Sequence, residues 1–91
     1  MAQVSKAVVS VLGMDRKGII ARVSHVVYER GVNILDISQT IVDGFFNMIM
    51  VVDIADAPFD GLMEDLTALG QSLGVQIRIQ KSEIFEAMHQ I

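Results

Sequence analysis

Two kinds of apolar spacing alternate along the chain, and they predict the order of its elements. Lys6–Leu12 is a mostly apolar, β-rich run that stops at Gly13, which predicts a buried strand. From Ile19 the apolar positions step by three and four residues, which predicts a helix ending at Gly31. A second helical stripe precedes Gly74 and consists of Phe59, Leu62, Leu66, Leu69 and Leu73. Each predicted helix therefore has one apolar side that must pack on another element.

Three more stretches have the composition and alternation of strands. They are Asn33–Val42, Phe45–Ile54 and Val75–Gln80. Asp43-Gly44 joins the first two, and this dipeptide is typical of a two-residue hairpin turn with positive φ. Phe45–Ile54 is apolar on both of its alternating faces, so we expect helices to cover one face and a partner to cover the other.

The order strand, helix, strand, strand, helix, strand predicts an α+β fold of the ferredoxin-like, βαββαβ type. A weak internal repeat supports it, because Gly31-Val32-Asn33-Ile34 and Gly74-Val75-Gln76-Ile77 both join a helix to a strand. Handedness rules then predict a four-stranded antiparallel sheet with two helices on one face. Glu83–Ile91, with Ser82 as its cap, adds a short C-terminal helix that we expect to be docked rather than free.

Length and composition limit how this fold can be organised. With 91 residues the chain has room for one hydrophobic core. We therefore expect a single domain over residues 1–91, with its core at 5–81 and a helical tail at 82–91. Hydrophobic residues make up 52% of the chain and charged residues 20%, which is more apolar surface than so small an interior can hide. The excess predicts a homodimer or a higher homo-oligomer.

Charge and cysteine content exclude several classes of function. The chain has no cysteine, which excludes disulfide frameworks and thiol nucleophiles and makes the cytoplasm the expected location. No uncharged apolar run approaches the roughly 18 residues of a membrane-spanning helix, so we expect no membrane partner. The net charge is −4, and no base lies between Arg30 and Arg78, so we expect no nucleic-acid partner.

The sequence offers little for catalysis. His25 and His89 are the only histidines, and no HxH or HxxxH spacing brings metal ligands together. His25 is expected to be solvated beside Glu29, and the carboxylates are expected to lie on the surface. We therefore expect no catalytic residue, no metal, no cofactor and no enzyme activity.

The segment most suggestive of a binding site is the loop between the first strand and the first helix. A glycine-bounded loop that opens a helix leaves free backbone N–H groups at Gly18, Ile19 and Ile20, and these can hold a carboxylate or a phosphate. Asp15 could accept hydrogen bonds from those groups as a helix cap, or it could meet the ammonium group of a ligand. The residues alone leave both roles open.

Several motifs together resemble the ACT domain family, the small regulatory modules of amino-acid metabolism. Asp15-Arg16-Lys17-Gly18-Ile19-Ile20 follows an apolar strand, and Gly31-Val32-Asn33-Ile34 enters the next strand. The resemblance covers residues 5–81. The stretches Asn33–Thr40 and Gly44–Met50 are similar to those of stand-alone ACT proteins of bacteria and archaea.

This resemblance implies a dimer that joins sheets or helices and binds a small amino acid, or a similar carboxylate, at the subunit interface. The ligand would lie between the first loop and a neighbouring second strand. Gly18 would allow close approach, and Asn33 would bond the ligand's polar groups. The implied ligand-binding residues are Asp15, Lys17, Gly18, Ile19, Ile20, Asn33 and Ile34.

We expect no catalytic or DNA-binding domain beside the ACT-like domain for the ligand to regulate. The resemblance therefore implies that the chain acts through an unknown protein partner. A ligand-free dimerisation or assembly module is the alternative reading of the same fold. An acylphosphatase-like enzyme is a remote alternative, because it shares the topology but is matched only by the generic Arg16 and Asn33.

Overall fold

The computed structural model describes residues 5–14, 17–54 and 59–81. The elements follow one another in the predicted order: β1 (Lys6–Met14), α1 (Ile19–Glu29), β2 (Asn33–Val42), β3 (Phe45–Asp53), α2 (Phe59–Leu73) and β4 (Gln76–Lys81). All strand pairs are antiparallel, and the sheet has the order β2-β3-β1-β4. This arrangement is the ferredoxin-like fold, so the predicted fold class is confirmed.

Both helices pack on one face of the sheet, which we call the helix face. Residues of β1 and β3 that point to this face are fully buried, including Val9, Val11, Met48 and Met50. The two methionines of β3 therefore belong to the hydrophobic core. The helices add the apolar stripes that their spacing predicts: Ile19, Val23 and Val27 from α1, and Leu62, Leu66 and Leu73 from α2.

The turn between β2 and β3 is the predicted hairpin. Asp43 has φ 53° and Gly44 has φ 83°, and two consecutive positive φ angles are the requirement of a type I′ turn. Val42 then pairs with Phe45, which fixes the register of the whole hairpin. The strand β2 has one irregularity near its start. Ile34 pairs with Val52 but Asp36 pairs with Val51, so Leu35 is an extra, bulged residue.

Some predicted boundaries were wrong by one or two residues. β1 continues past Leu12 to Met14, because Gly13 and Met14 pair with Phe46 and Phe45. The strand predicted at Val75–Gln80 runs from Gln76 to Lys81. The predicted terminal helix at 82–91 lies outside the described residues.

The second face of β3, expected to need a partner, is only partly covered. Phe45 and Ile49 remain exposed on the face that points away from the helices. We call this the open face of the sheet. In this chain alone, the prediction that helices would cover one side of β3 holds, and a partner for the other side stays a prediction.

Candidate functional site

The start of α1 presents backbone N–H groups and has a glycine at the N-cap position. Gly18 occupies the N-cap position with φ 86°, a left-handed conformation that glycine adopts without strain. Its carbonyl accepts a hydrogen bond from the Arg22 N–H at 2.9 Å, which closes the first turn. Gly18 has no side chain that could cap the turn, and none of the residues of the first turn is acidic. The first N–H groups of α1 therefore point outward at the positive end of the helix dipole.

A cavity of about 370 Å³ lies between this helix start and the far end of β2. The residues that line it are Gly18, Ile19, Ile20, Gln39, Thr40, Ile41 and Phe46. Ile19 and Phe46 are buried and form an apolar floor, while Ile20 and Ile41 are exposed at the rim. The cavity therefore combines helix N–H donors with polar groups of β2 and an apolar wall.

Strand pairing places the polar groups of β2 relative to the cavity. Gln39 pairs with Met48, whose side chain is buried on the helix face. Because paired residues of antiparallel strands point to the same face, the Gln39 amide lies on the side of the sheet where α1 packs. An amide can both donate and accept, so Gln39 can bond either end of a small zwitterion.

A second cavity, of about 540 Å³, lies at the same end of the sheet between β1 and the end of α2. Gly70 and Gly74 contribute to its wall, so it faces the carbonyl end of a helix. That end carries partial negative charge and is unfavourable for a carboxylate. The cavity at the start of α1 is therefore the better site for an anionic group.

The structure brings together only part of the predicted site. Gly18, Ile19 and Ile20 line the cavity, and Lys17 is exposed beside it. Asn33 lies at the opposite end of β2, about 25 Å from Ile41 at a strand rise of about 3.3 Å per residue. Ile34 follows it and packs at the edge of the core. Asp15 lies outside the described residues.

Sequence reasoning missed the contributions of β2 and β3. Gln39, Thr40, Ile41 and Phe46 reach the cavity through strand pairing, and none of them was among the predicted ligand-binding residues. A polar pair near the end of an edge strand is the one signal that could have suggested Gln39 and Thr40. That signal points to a site only once the topology is known.

Two side-chain contacts elsewhere involve other polar residues of the two helices. Arg30, just after α1, donates from its Nε to a carboxylate oxygen of Asp65 in α2 at 2.6 Å. This hydrogen bond, with the charge of the guanidinium, holds the pKa of Asp65 below its ordinary value. His25 lies 3.4 Å from Glu29 on the exposed side of α1, so its predicted exposure is confirmed.

The described residues offer neither a metal cluster nor a membrane-spanning helix. Within residues 5–14, 17–54 and 59–81, no three His, Cys, Asp or Glu side chains come close enough together to hold a metal ion. Neither of the helices in those ranges is long and apolar enough to cross a membrane.

Comparison with known proteins gives consistent matches along the chain. The model of the ACT domain family matches residues 5–80. A UPF0237 protein of Bifidobacterium longum is 51% identical over 89 residues, which cover 96% of this chain and 99% of the relative.

Solved structures show the same fold. An ACT domain protein from Streptococcus pneumoniae is 44% identical with a TM-score of 0.80, and the match covers 96% of this chain and all of that one. The regulatory subunit of aspartate kinase from Thermus thermophilus, in its ligand-free form, is 22% identical with a TM-score of 0.67. That match covers 86% of this chain and 52% of the other, and at this identity it shows the fold alone.

Proposed function

This chain belongs to the ACT domain family, a family of regulatory modules, and we propose that it binds a small amino acid or similar carboxylate at a subunit interface. It would then act through a partner protein rather than by catalysis. The observation that carries the proposal is the cavity at the start of α1, which the first residues of that helix line together with Gln39 and the apolar Phe46.

The chemistry of this cavity suits a small zwitterion. A carboxylate would accept hydrogen bonds from the first N–H groups of α1, where the helix dipole is also favourable. The oxygen of the Gln39 amide could accept from the ammonium group. Ile20 and Ile41 at the rim would contact a short apolar side chain. Gly18 allows the ligand to approach the backbone, because a Cβ at this position would narrow the entrance.

The cavity opens at the edge of the sheet, which supports a site shared between two copies. β2 has ten residues and is an edge strand, since among the described residues only β3 pairs with it. Ile41 points to the helix face yet is 60% exposed, because α1 does not extend over this edge. Pairing β2 with a second copy would cover Ile41 and satisfy the free backbone groups of the edge.

This pairing would also bring the predicted site residues at the start of β2 close to those at the start of α1 of the other copy. If two β2 strands pair antiparallel about Ser38, and the bulged Leu35 has no partner, Asn33 of the partner subunit lies opposite Val42. That position is next to Ile41, at the mouth of the cavity. Within one chain both residues lie at the far end of the strand, so a role for them at this cavity would require a dimer. In that dimer Ile34, which pairs with Val52, would face the cavity side, whereas Asn33, which pairs with Asp53, would contact a ligand only from the strand edge.

The test is a thermal-shift screen with each of the twenty amino acids at millimolar concentration. A ligand at a hundredfold excess over its Kd stabilises the folded state by about 2.7 kcal/mol. For a domain of this size the melting temperature should rise by roughly ten degrees or more. If none of the twenty moves the melting curve, the sensor proposal is wrong and the ligand-free assembly module takes its place.

Two glycines allow a matched control. Gly18 has φ 86° and Gly31 has φ 71°, and a Cβ at either position would meet no atom within 4 Å. Gly18→Val and Gly31→Val should therefore lose similar stability without ligand, because both strain the backbone equally. Only Gly18→Val should lose the ligand-induced shift. Equal shifts in both variants would place the ligand elsewhere.

The assembly alternative is favoured by the exposed edge of β2 and by the exposed apolar residues of the open face. Sedimentation without added ligand distinguishes it, because an assembly module should form dimers regardless of amino acids. We expect no hydrolysis of acyl phosphates. Measurable hydrolysis would instead support the acylphosphatase-like alternative. We also expect the protein to be cytoplasmic.

A further inference from the structure

The open face of the sheet is buried at one end and exposed at the other. Three side chains of β1 on this face differ sharply in exposure. Val8 is 6% exposed, whereas Leu12 is 49% exposed and Met14 is 57% exposed. The three share one strand and point the same way, so strand position alone does not explain the difference.

The buried end extends across the neighbouring strands. Val8 lies between Val51 of β3 and Gln80 of β4, and both are partly buried. Two residues further along β3, Ile49 is 39% exposed. The two described helices pack on the opposite face and cannot account for this burial.

The chain leaves the sheet at this buried end. β4 ends at Lys81, which pairs with Ala7, directly beside the Gln80–Val8 pair. Ten residues follow, and their apolar members have helical spacing: Ile84, Phe85, Met88 and Ile91. As a helix, ten residues span about 15 Å, which matches the width of a few strands spaced about 4.8 Å apart.

We propose that the C-terminal segment 82–91 packs across the open face of its own chain, with its apolar side over Val8 and Val51. Glu83 and Glu86 lie between the apolar positions and would face solvent or the exposed Arg78 of β4. The ACT family model ends at residue 80, but the match to the Bifidobacterium relative leaves only about four residues of the chain uncovered. The match therefore includes at least part of this segment, which lies beyond the family match.

The consequence concerns how copies of the chain can meet. A segment that covers the Val8 end leaves Leu12 and Met14 exposed at the other end of the face. Two sheets could then stack only over the part of the open face that the segment leaves uncovered, not over the whole face. The edge of β2 stays free, so assembly through that edge and docking of the segment are compatible.

Thiol labelling tests this proposal in the full-length chain, because the natural protein has no cysteine. Val8→Cys reports on the covered end of the face, and Leu12→Cys, on the same strand, reports on the exposed end. We expect the Val8→Cys thiol to react with a maleimide at least about tenfold more slowly, since it must wait for local opening.

Changes in the segment should release this protection. Adding Phe85→Glu and Met88→Glu should bring the Val8→Cys rate close to that of Leu12→Cys. Gln90→Glu is the control, because it adds a negative charge without removing an apolar contact, and it should leave the rate unchanged. An unchanged rate in the double variant would overturn the proposal.

Two further readouts cover the other outcomes. Protection that falls on dilution would mean that a second copy covers Val8, and this would also overturn the proposal. If Val8→Cys does not fold, nuclear Overhauser contacts between the Phe85 ring and the Val8 methyl groups in the unaltered protein decide the question. Their presence supports the proposal and their absence contradicts it.

Discussion

Gly13 allows the sharpest test of how this core is packed. It lies on the helix face of β1, opposite Phe46. A Cβ built at Gly13 would stand 2.6 Å from Cγ1 and 2.9 Å from Cβ of Val75, and 3.1 Å from its backbone Cα. Val75 is buried between α2 and β4, so neither the strand nor the connection can move aside freely. Gly13→Ala should therefore overpack this contact.

The size of the effect follows from two opposing terms. Overpacking a core position by one methyl group costs about 1–3 kcal/mol. Alanine restricts the unfolded chain more than glycine does, and this raises the free energy of unfolding by about 0.4–1 kcal/mol, which offsets part of that cost. We expect Gly13→Ala to lower the free energy of unfolding by about 1–2 kcal/mol, and the melting temperature by roughly 5–15 °C at 4–8 °C per kcal/mol.

A double-mutant cycle separates this contact from a general effect of the substitution. Val75→Ala removes the nearest atom, Cγ1, so Gly13→Ala should cost less in that background than in the natural chain. Urea unfolding followed by circular dichroism gives the four free energies. An equal cost of Gly13→Ala in both backgrounds, or no cost in the natural chain, would refute the contact as the reason for the glycine.

Other predictions concern the hairpin and the contact between helices. Gly44→Val puts a β-branched residue at φ 83° and should cost more than about 1 kcal/mol, which thermal unfolding would show; unchanged stability would contradict the type I′ turn. The lowered pKa of Asp65 means that its pair with Arg30 stabilises the fold above about pH 4 and is lost as pH falls through the folded-state pKa. The melting-temperature difference between the natural chain and Asp65→Asn should thus shrink on acidification; a constant difference would contradict it. A Cβ at Gly61 would lie 2.6 Å from a guanidinium nitrogen of Arg30, so Gly61→Ala should displace this side chain from Asp65. In the Gly61→Ala background, the effect of Asp65→Asn on the melting temperature should therefore depend less on pH.

Much of the fold could be predicted because its signals are local. The Asp43-Gly44 turn and the two helical stripes each depend on residues close together in the sequence. The end of β1 could not be predicted in this way. Gly13 resembles a strand terminator, but it continues the strand because its missing side chain makes room for Val75, more than sixty residues away.

The candidate site was half predictable for the same reason. The glycine that opens α1 is a local signal, and Gly18 does line the cavity. Asn33 was predicted to bind the same ligand, and it does belong to β2, which lines the cavity. Within one chain, however, it lies at the end of β2 that is far from the cavity. Only a symmetric copy of the chain could bring that end to the cavity, and a single sequence contains no information on the register between copies.

The bulge at Leu35 decides which polar residue of β2 can face a ligand. Counting alternate residues from Ile34, which points to the helix face, would assign Thr40 to that face and Gln39 to the open one. The extra residue reverses this order, so that Ile37, Gln39 and Ile41 pair with the buried side of β3. The bulge thus turns an amide, rather than a hydroxyl, toward the start of α1. An amide reaches further across a cavity and can accept from an ammonium group while donating to a carboxylate, which is the pairing that a zwitterion requires.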